Sequence, residues 1–273
     1  MTETQPATTT WHHGIMARWW AEFVTPDPEE LAYYRAAIER FGQPALDLGC
    51  GAGRLLVPLL RDGLDIDGAD VSKDMLGQAA ALAAAVGAHP NLHAQAVHQL
   101  ETGRRYKTIF ACGVVGIGGP RAEDLLGFRR VYDHLEPGGA FLIGHTLPTA
   151  DMDPERWARW LPGRRGTLPR AWDDDWERRT AADGDELGLL MRVAEFDPLR
   201  QQLVLEMRAR VWRDGKVIAE ETHRLIENEY FSQELLLMLD VAGFREIEMV
   251  GAYGGEPATG DDPVIVIIGR RPD

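Results

Sequence analysis

The residues with the strongest chemical signal are Asp47, Gly49, Gly51 and Gly53. An apolar run from Ala45 is interrupted by Asp47, and the three glycines then alternate before a second apolar run at helical spacing. That pattern is a strand, a tight turn and a helix start, with no Cβ where backbone would approach a ligand. A glycine-rich turn after the first strand of an α/β sheet is a nucleotide-type site by position. The spacing is G-x-G-x-G, not the G-x-G-x-x-G of dinucleotide sites. A carboxylate in the turn would repel a pyrophosphate and suits a ligand bearing an ammonium group. Asp70 ends the next candidate strand, where its carboxylate can accept both hydroxyls of a ribose.

These residues need a scaffold, and the chain supplies one in order. Residues 1–13 read as a disordered polar tail. Gly14 to Val24 and a helix opened by Asp27-Pro28 precede the turn as lid helices. Strands are expected at about 44–49, 64–70, 91–97, 106–112 and 140–145. Helices alternate with them at about 53–62, 72–86 and from Pro120 to the stop at Pro137-Gly138-Gly139. This alternation gives an α/β fold with a doubly wound, mainly parallel sheet. The pattern changes after Leu147. A tryptophan-rich stretch leads into strand-like runs at about 187–196, 201–213 and 216–228, the last two joined by Asp214-Gly215, a two-residue hairpin signal. The expected organisation is a core over 14–147, an inserted antiparallel subdomain over 148–230, and a last helix with an antiparallel hairpin over 231–273.

The runs Asp47-Leu-Gly-Cys-Gly-Ala-Gly, Asp70-Val-Ser-Lys-Asp-Met and Leu135-Glu-Pro-Gly-Gly together resemble the class I S-adenosylmethionine-dependent methyltransferases, small-molecule type. The resemblance implies a Rossmann-like seven-stranded sheet and S-adenosyl-L-methionine as cofactor. It places the turn from Asp47 through Gly49, Cys50, Gly51 and Gly53 under the methionine part and Asp70 on the ribose. Val71 and Met75 would flank the adenine, Gln95 and Ala96 would meet its edge, and Cys112 and Gly113 would lie beside the transferable methyl group. An acidic residue common at the adenine edge is missing here. His145, at the end of a strand facing the same crevice, is the first candidate for a general base, which a hydroxyl or acidic carbon needs and a neutral amine does not. His13, Tyr33 and Tyr230 follow on the acceptor side. Trp157 and Trp160 either line the acceptor pocket or anchor their loop.

Departures and composition narrow the partners. The (Asp/Asn)-Pro-Pro-aromatic run of base-methylating enzymes is absent after strand four, and Cys112 does not fit the acidic ligand of metal-assisted catechol enzymes. No metal site is therefore expected, and the implied reaction is methyl transfer to N or O of a small-molecule metabolite. A net charge of −14, with Lys73, Lys107 and Lys216 as the lysines, argues against nucleic acid. No apolar run suits a membrane span, and Cys50 and Cys112 suggest a reducing, cytoplasmic compartment. A homodimer is open. The rival readings are a relative using the cofactor for another reaction such as a cyclisation, a non-catalytic cofactor-binding module, and a nicotinamide-dependent oxidoreductase.

Overall fold

The computed structural model describes residues 10–148 and 157–273. The core is a seven-stranded sheet in the order β10-β11-β5-β4-β1-β2-β3. Its strands are β1 (Ala45–Leu48), β2 (Ile66–Asp70), β3 (Leu92–Ala94), β4 (Tyr106–Cys112), β5 (Leu135–Thr146), β10 (Arg245–Gly251) and β11 (Val264–Arg270). The first five are parallel, while β11 runs antiparallel to both β5 and β10. All four residues of β1 are buried, as expected for a central parallel strand covered on both faces. One apolar cluster packs Phe128, Val131, Phe141, Leu235 and Phe244 on one face, and another packs Tyr34, Ile38, Leu56, Phe110 and Leu142 on the other.

The flanking helices are α1 (Gly14–Phe23), α2 (Pro28–Phe41), α3 (Leu56–Arg61), α4 (Lys73–Ala85), α5 (Arg121–His134) and α6 (Ser232–Ala242). Asp27 caps α2 by accepting from the Glu29 and Glu30 amides, and Ser72 caps α4 by accepting from Met75. Gly243 closes α6 in the left-handed conformation.

A second sheet, β6-β7-β8-β9, is inserted between β5 and α6. It comprises β6 (Glu177–Thr180), β7 (Glu186–Asp197), β8 (Gln202–Arg213) and β9 (Lys216–Asn228). Asp214 and Gly215 both have positive φ in the β8–β9 turn, the geometry their sequence signals. Leu203, Leu205, Met207, Ala209 and Val211 point to one face and pack with Trp11, Ile15, Met16 and Trp19. Helix α1 is thus part of the inserted sheet's core, while its Ala17 packs on Ala52 and Met75 of the parallel domain.

Several boundaries differ from expectation. Strand β3 is only three residues long, and 97–99 form a 3-10 turn. Strand β5 begins at Leu135, so Pro137-Gly138-Gly139 lies within an irregular strand start instead of a break. Helix α3 begins at Leu56, after the glycine turn has spent residues 51–55 on tight turns. Strand β6 is additional. The tail expected over 1–13 is described only from Thr10, and there it is packed: Thr10 and Trp11 are buried.

Candidate functional site

The glycine turn leaves β1 with both its Gly49 and Cys50 amides donating to the Ala69 carbonyl at the end of β2. Gly49, Gly51 and Gly53 all have positive φ. At Gly49 a side chain is also excluded by space, because a Cβ would sit 2.0 Å from Val114 Cγ2. The turn therefore presents bare backbone to a crevice of about 720 Å³. That crevice gathers Asp47, Gly49, Cys50, Gly51, Asp70, Val71, Met75, Gln95, Ala96, Cys112 and Gly113; Gly53 instead packs on the helix side, against Val57 and Ala79.

Two carboxylates set its electrostatics. Asp47 is 3% exposed. Burial pushes its carboxyl up to about 7, against the pull of the Arg54 guanidinium, with Asp70 and Glu30 adding to the rise. A buried carboxylate in that condition gains most from an added cation. Asp70 spends one oxygen on the Gly51 amide at 2.9 Å and the other on the Ser72 amide at 2.8 Å. Burial raises its pKa while those amides oppose the rise. Each oxygen retains acceptor capacity for a hydroxyl. Arg54 and the buried Glu30 form a bidentate ion pair, and Tyr253 donates to Glu30 at 3.2 Å. Burial disfavours the Arg54 charge, but the Glu30 bonds outweigh it and hold the guanidinium firmly protonated. The donor set fits a ligand with an ammonium group, a carboxylate and a ribose.

The roof comes from the N-terminal segment. Thr10, His12, His13, Trp20 and Val24 line the crevice. Ser72 donates its hydroxyl to the His12 carbonyl, and His13 Nδ1 lies 3.3 Å from Ser72 Oγ. His13 Nε2 is buried without a hydrogen-bond partner, so this ring belongs to the cofactor side of the crevice, beside Asp70. Burial, with His13 beside it, pushes His12 down to about 4, so it is neutral at pH 7. The amides of Gly14 and Ile15 donate to Asp74 on α4 and Glu221 on β9, both at 2.8 Å. Two acidic side chains, one from helix α4 of the core and one from the inserted sheet, thus clasp the start of α1.

The remaining expected residues divide. His145 does not face the main crevice. It lines an adjoining chamber of about 270 Å³ with Gly113, Val115, Ile117, Glu227, Asn228 and Tyr230. Its Nε2 lies 2.9 Å from the Tyr230 carbonyl, which can only accept, so Nε2 carries the proton. Tyr230 is fully buried and reaches the chamber by its backbone, while its hydroxyl donates to Asp124. Tyr33 is corrected: it packs against Tyr34 and Tyr253, away from both cavities. Trp160 is an anchor, edge-on to Phe196 and beside Phe231, and Trp157 is 45% exposed. Residues 149–156, just before them, lie outside the described residues. Burial raises both the Cys50 and Cys112 thiols, so neither is a reactive thiolate. The roof residues Thr10, His12 and Trp20 and the pair Glu30–Arg54 carried no recognisable motif.

Fold and crevice define a nucleotide-dependent α/β protein of the methyltransferase class, and comparison with known proteins agrees. The methyltransferase domain family matches residues 45–139. The ubiquinone biosynthesis O-methyltransferase of Rhizobium rhizogenes is 32% identical over 202 residues, 64% of this chain and 77% of that protein. Its counterpart from Sinorhizobium medicae is 34% identical over 161 residues, 52% of this chain and 62% of that protein, so the match spans less than two thirds of the latter's length. The CcbJ methyltransferase of Streptomyces caelestis shares the fold, with a TM-score of 0.67 at 22% identity over 97% of this chain and 99% of that one. The chain belongs to the class I S-adenosylmethionine-dependent methyltransferase family, whose cofactor is S-adenosyl-L-methionine.

Proposed function

We propose that this chain transfers the methyl group of S-adenosyl-L-methionine to an N or O atom of a small-molecule acceptor without a metal ion. The observation that carries this reading is the crevice itself. A backbone-lined glycine turn, buried Asp47 and half-bonded Asp70 converge there, and Gly113 opens from it toward the second chamber. Asp47 would hold the ammonium group and Asp70 the ribose, with Val71, Met75, Gln95 and Ala96 around the adenine. The cofactor supplies an already activated sulfonium methyl, so the protein's tasks are alignment and exclusion of water. The clasped roof of Thr10–Val24 serves the second task.

The acceptor side is the chamber of His145. His145, whose Nε2–H is donated to the Tyr230 carbonyl, is the candidate general base that a hydroxyl acceptor requires. The metal-independent form of the reading rests on Cys112 at the end of β4 and on donor geometry. Among the described residues, no group of three His, Cys, Asp or Glu is placed to hold a metal ion. The O-methyltransferase names of the rhizobial relatives favour a hydroxyl acceptor. The acidic surface disfavours nucleic acid, and the two free cysteines fit a reducing, cytoplasmic setting. No described helix is long and apolar enough to cross a membrane.

The test is incubation of the full chain with S-adenosyl-L-methionine and a panel of phenols, catechols and primary amines, followed by mass spectrometry. Release of S-adenosylhomocysteine with a methylated product is expected. Tight cofactor binding without turnover across a broad panel would favour a non-transferring relative, and absence of cofactor binding would overturn the reading.

A further inference from the structure

The loop between Cys112 and Pro120 is a wall shared by two cavities. Gly113, Val115 and Ile117 border both the crevice and the His145 chamber. On the crevice side Val114 rests on Gly49 of the cofactor turn. On the far side the loop pairs with the end of β9. The Gly118 amide donates to the Ile226 carbonyl at 2.8 Å, and the Asn228 amide to the Gly116 carbonyl at 2.7 Å. Ile117 bridges to Glu227. Gly113, Gly116 and Gly118 all have positive φ, so the backbone path is not held by side-chain sterics.

Asp124, in the first turn of α5, adds a side-chain restraint to this backbone pairing. One of its oxygens accepts the Gly116 amide at 3.2 Å. The other accepts the Asn228 side-chain amide at 3.0 Å and the Tyr230 hydroxyl at 2.7 Å. Tyr230 in turn receives the His145 Nε2–H on its carbonyl. A continuous path therefore runs from the glycine turn, by van der Waals contact at Val114, through the hydrogen bonds of the loop, Asp124 and Tyr230 to the imidazole.

We propose that Asp124 is a positioning residue that couples occupancy of the cofactor turn to the acceptor chamber, by tying the 113–119 loop to Asn228, Tyr230 and, through Tyr230, His145. The inference rests on the methyltransferase reading for the identity of the crevice ligand. A ligand pressing on Gly49 and Val114 would stiffen the loop. Asp124 would pass that stiffening to the end of β9, so that the chamber takes its shape only when the methyl donor is in place.

The test is hydrogen–deuterium exchange of the full chain with and without S-adenosylhomocysteine, read in peptides covering 113–119 and 226–230. In the unsubstituted protein the ligand should slow exchange about tenfold in both segments. In Asp124→Asn the protection of 226–230 should vanish, that of 113–115 should remain, and affinity should stay within about threefold. Tyr230→Phe, which keeps the carbonyl bonded to His145 and loses only the hydroxyl, should show the same loss in weaker form; it carries the test if Asp124→Asn does not fold. Undiminished protection of 226–230 in both variants would overturn the proposal. So would a loss of affinity beyond tenfold in Asp124→Asn, which would make Asp124 a cofactor ligand. An unsubstituted protein that binds S-adenosylhomocysteine but protects only the glycine turn also refutes the coupling. One that does not bind refutes the methyltransferase reading instead.

Discussion

The two halves of the site are built in opposite ways. The proposed cofactor half has its polar anchors in one short stretch: the turn after β1, Asp70 at the end of β2, and Met75 beside them in the first turn of α4. The proposed acceptor half is assembled from the loop after β4, the end of β5 and the end of β9, which meet through long-range pairing. Helix α1 joins the halves, packed in the inserted sheet's core and clasped to α4. Local construction makes the cofactor half recognisable as a motif, whereas the proposed acceptor half depends on the end of β9 meeting two core elements.

The comparison breaks most sharply at His145. His145→Gln keeps a donor for the Tyr230 carbonyl but removes the basic nitrogen, so turnover of a hydroxyl acceptor should fall about 10²–10⁴-fold. Affinity for S-adenosylhomocysteine should stay unchanged by calorimetry. If that affinity falls with turnover, the halves are not separate. If an amine acceptor loses nothing, the base is dispensable for that chemistry. Asp70→Ala should give the converse pattern. Two hydrogen bonds to a charged acceptor, at about 1.5–3 kcal/mol each, predict a loss of cofactor affinity of at least about 100-fold. Unchanged affinity would remove Asp70 from the cofactor half.

How much of this was legible in the sequence follows the same division. Asp47, the glycines and Asp70 are read from spacing because each is placed by residues a few positions away. The caps at Asp27 and Ser72 and the Asp214-Gly215 hairpin are equally local, and all three stand where the sequence puts them. His145 was visible as a strand-end histidine, but the chamber it lines depends on β9 pairing with the 113–119 loop, which no periodicity announces. Tyr33 departs from expectation for a related reason, and Trp160, open between pocket and anchor in the sequence, takes the second role. An aromatic at helical spacing can face a core or a pocket, and here Tyr253 and Phe196 decide for the core. Strand β6 escaped because its four residues, Glu-Arg-Arg-Thr, are all exposed and carry no apolar alternation.

A pH series sharpens the electrostatic side of the contrast. Asp47 titrates near 7 in the folded chain and far lower when unfolded. Its folded-state pKa is raised, so the stability it contributes is fully present below about pH 4 and is lost as pH rises through 7. Asp47→Asn should therefore raise the melting temperature of the ligand-free protein at pH 8 relative to the unsubstituted chain, with little difference at pH 4. An ammonium-bearing ligand needs the ionised form. S-adenosylhomocysteine affinity should rise about tenfold per unit between pH 5 and 7 and then level off, and Asp47→Asn should flatten the profile. A profile unchanged by the substitution would remove Asp47 from the ammonium site.

The smallest effect is expected at the joint between the halves. Gly14 has φ +53° at the start of α1, and a Cβ there would lie 2.4 Å from the Glu221 carboxylate. Gly14→Ala therefore adds left-handed strain of about 1–2 kcal/mol and displaces Glu221 from the Ile15 amide. The Asp74 clasp on α4 is left in place. The roof should loosen from the inserted sheet but not from the cofactor helix. Cofactor dissociation, followed by stopped-flow tryptophan fluorescence from Trp20 at the crevice, should accelerate only about threefold to tenfold. Asp74→Ala, which opens the other clasp, should accelerate dissociation by more than Gly14→Ala, because its contact lies on the helix that carries Met75. Equal effects would mean that α1 moves as one piece with both sheets, and the division between a local cofactor half and an assembled acceptor half would then not extend to the roof.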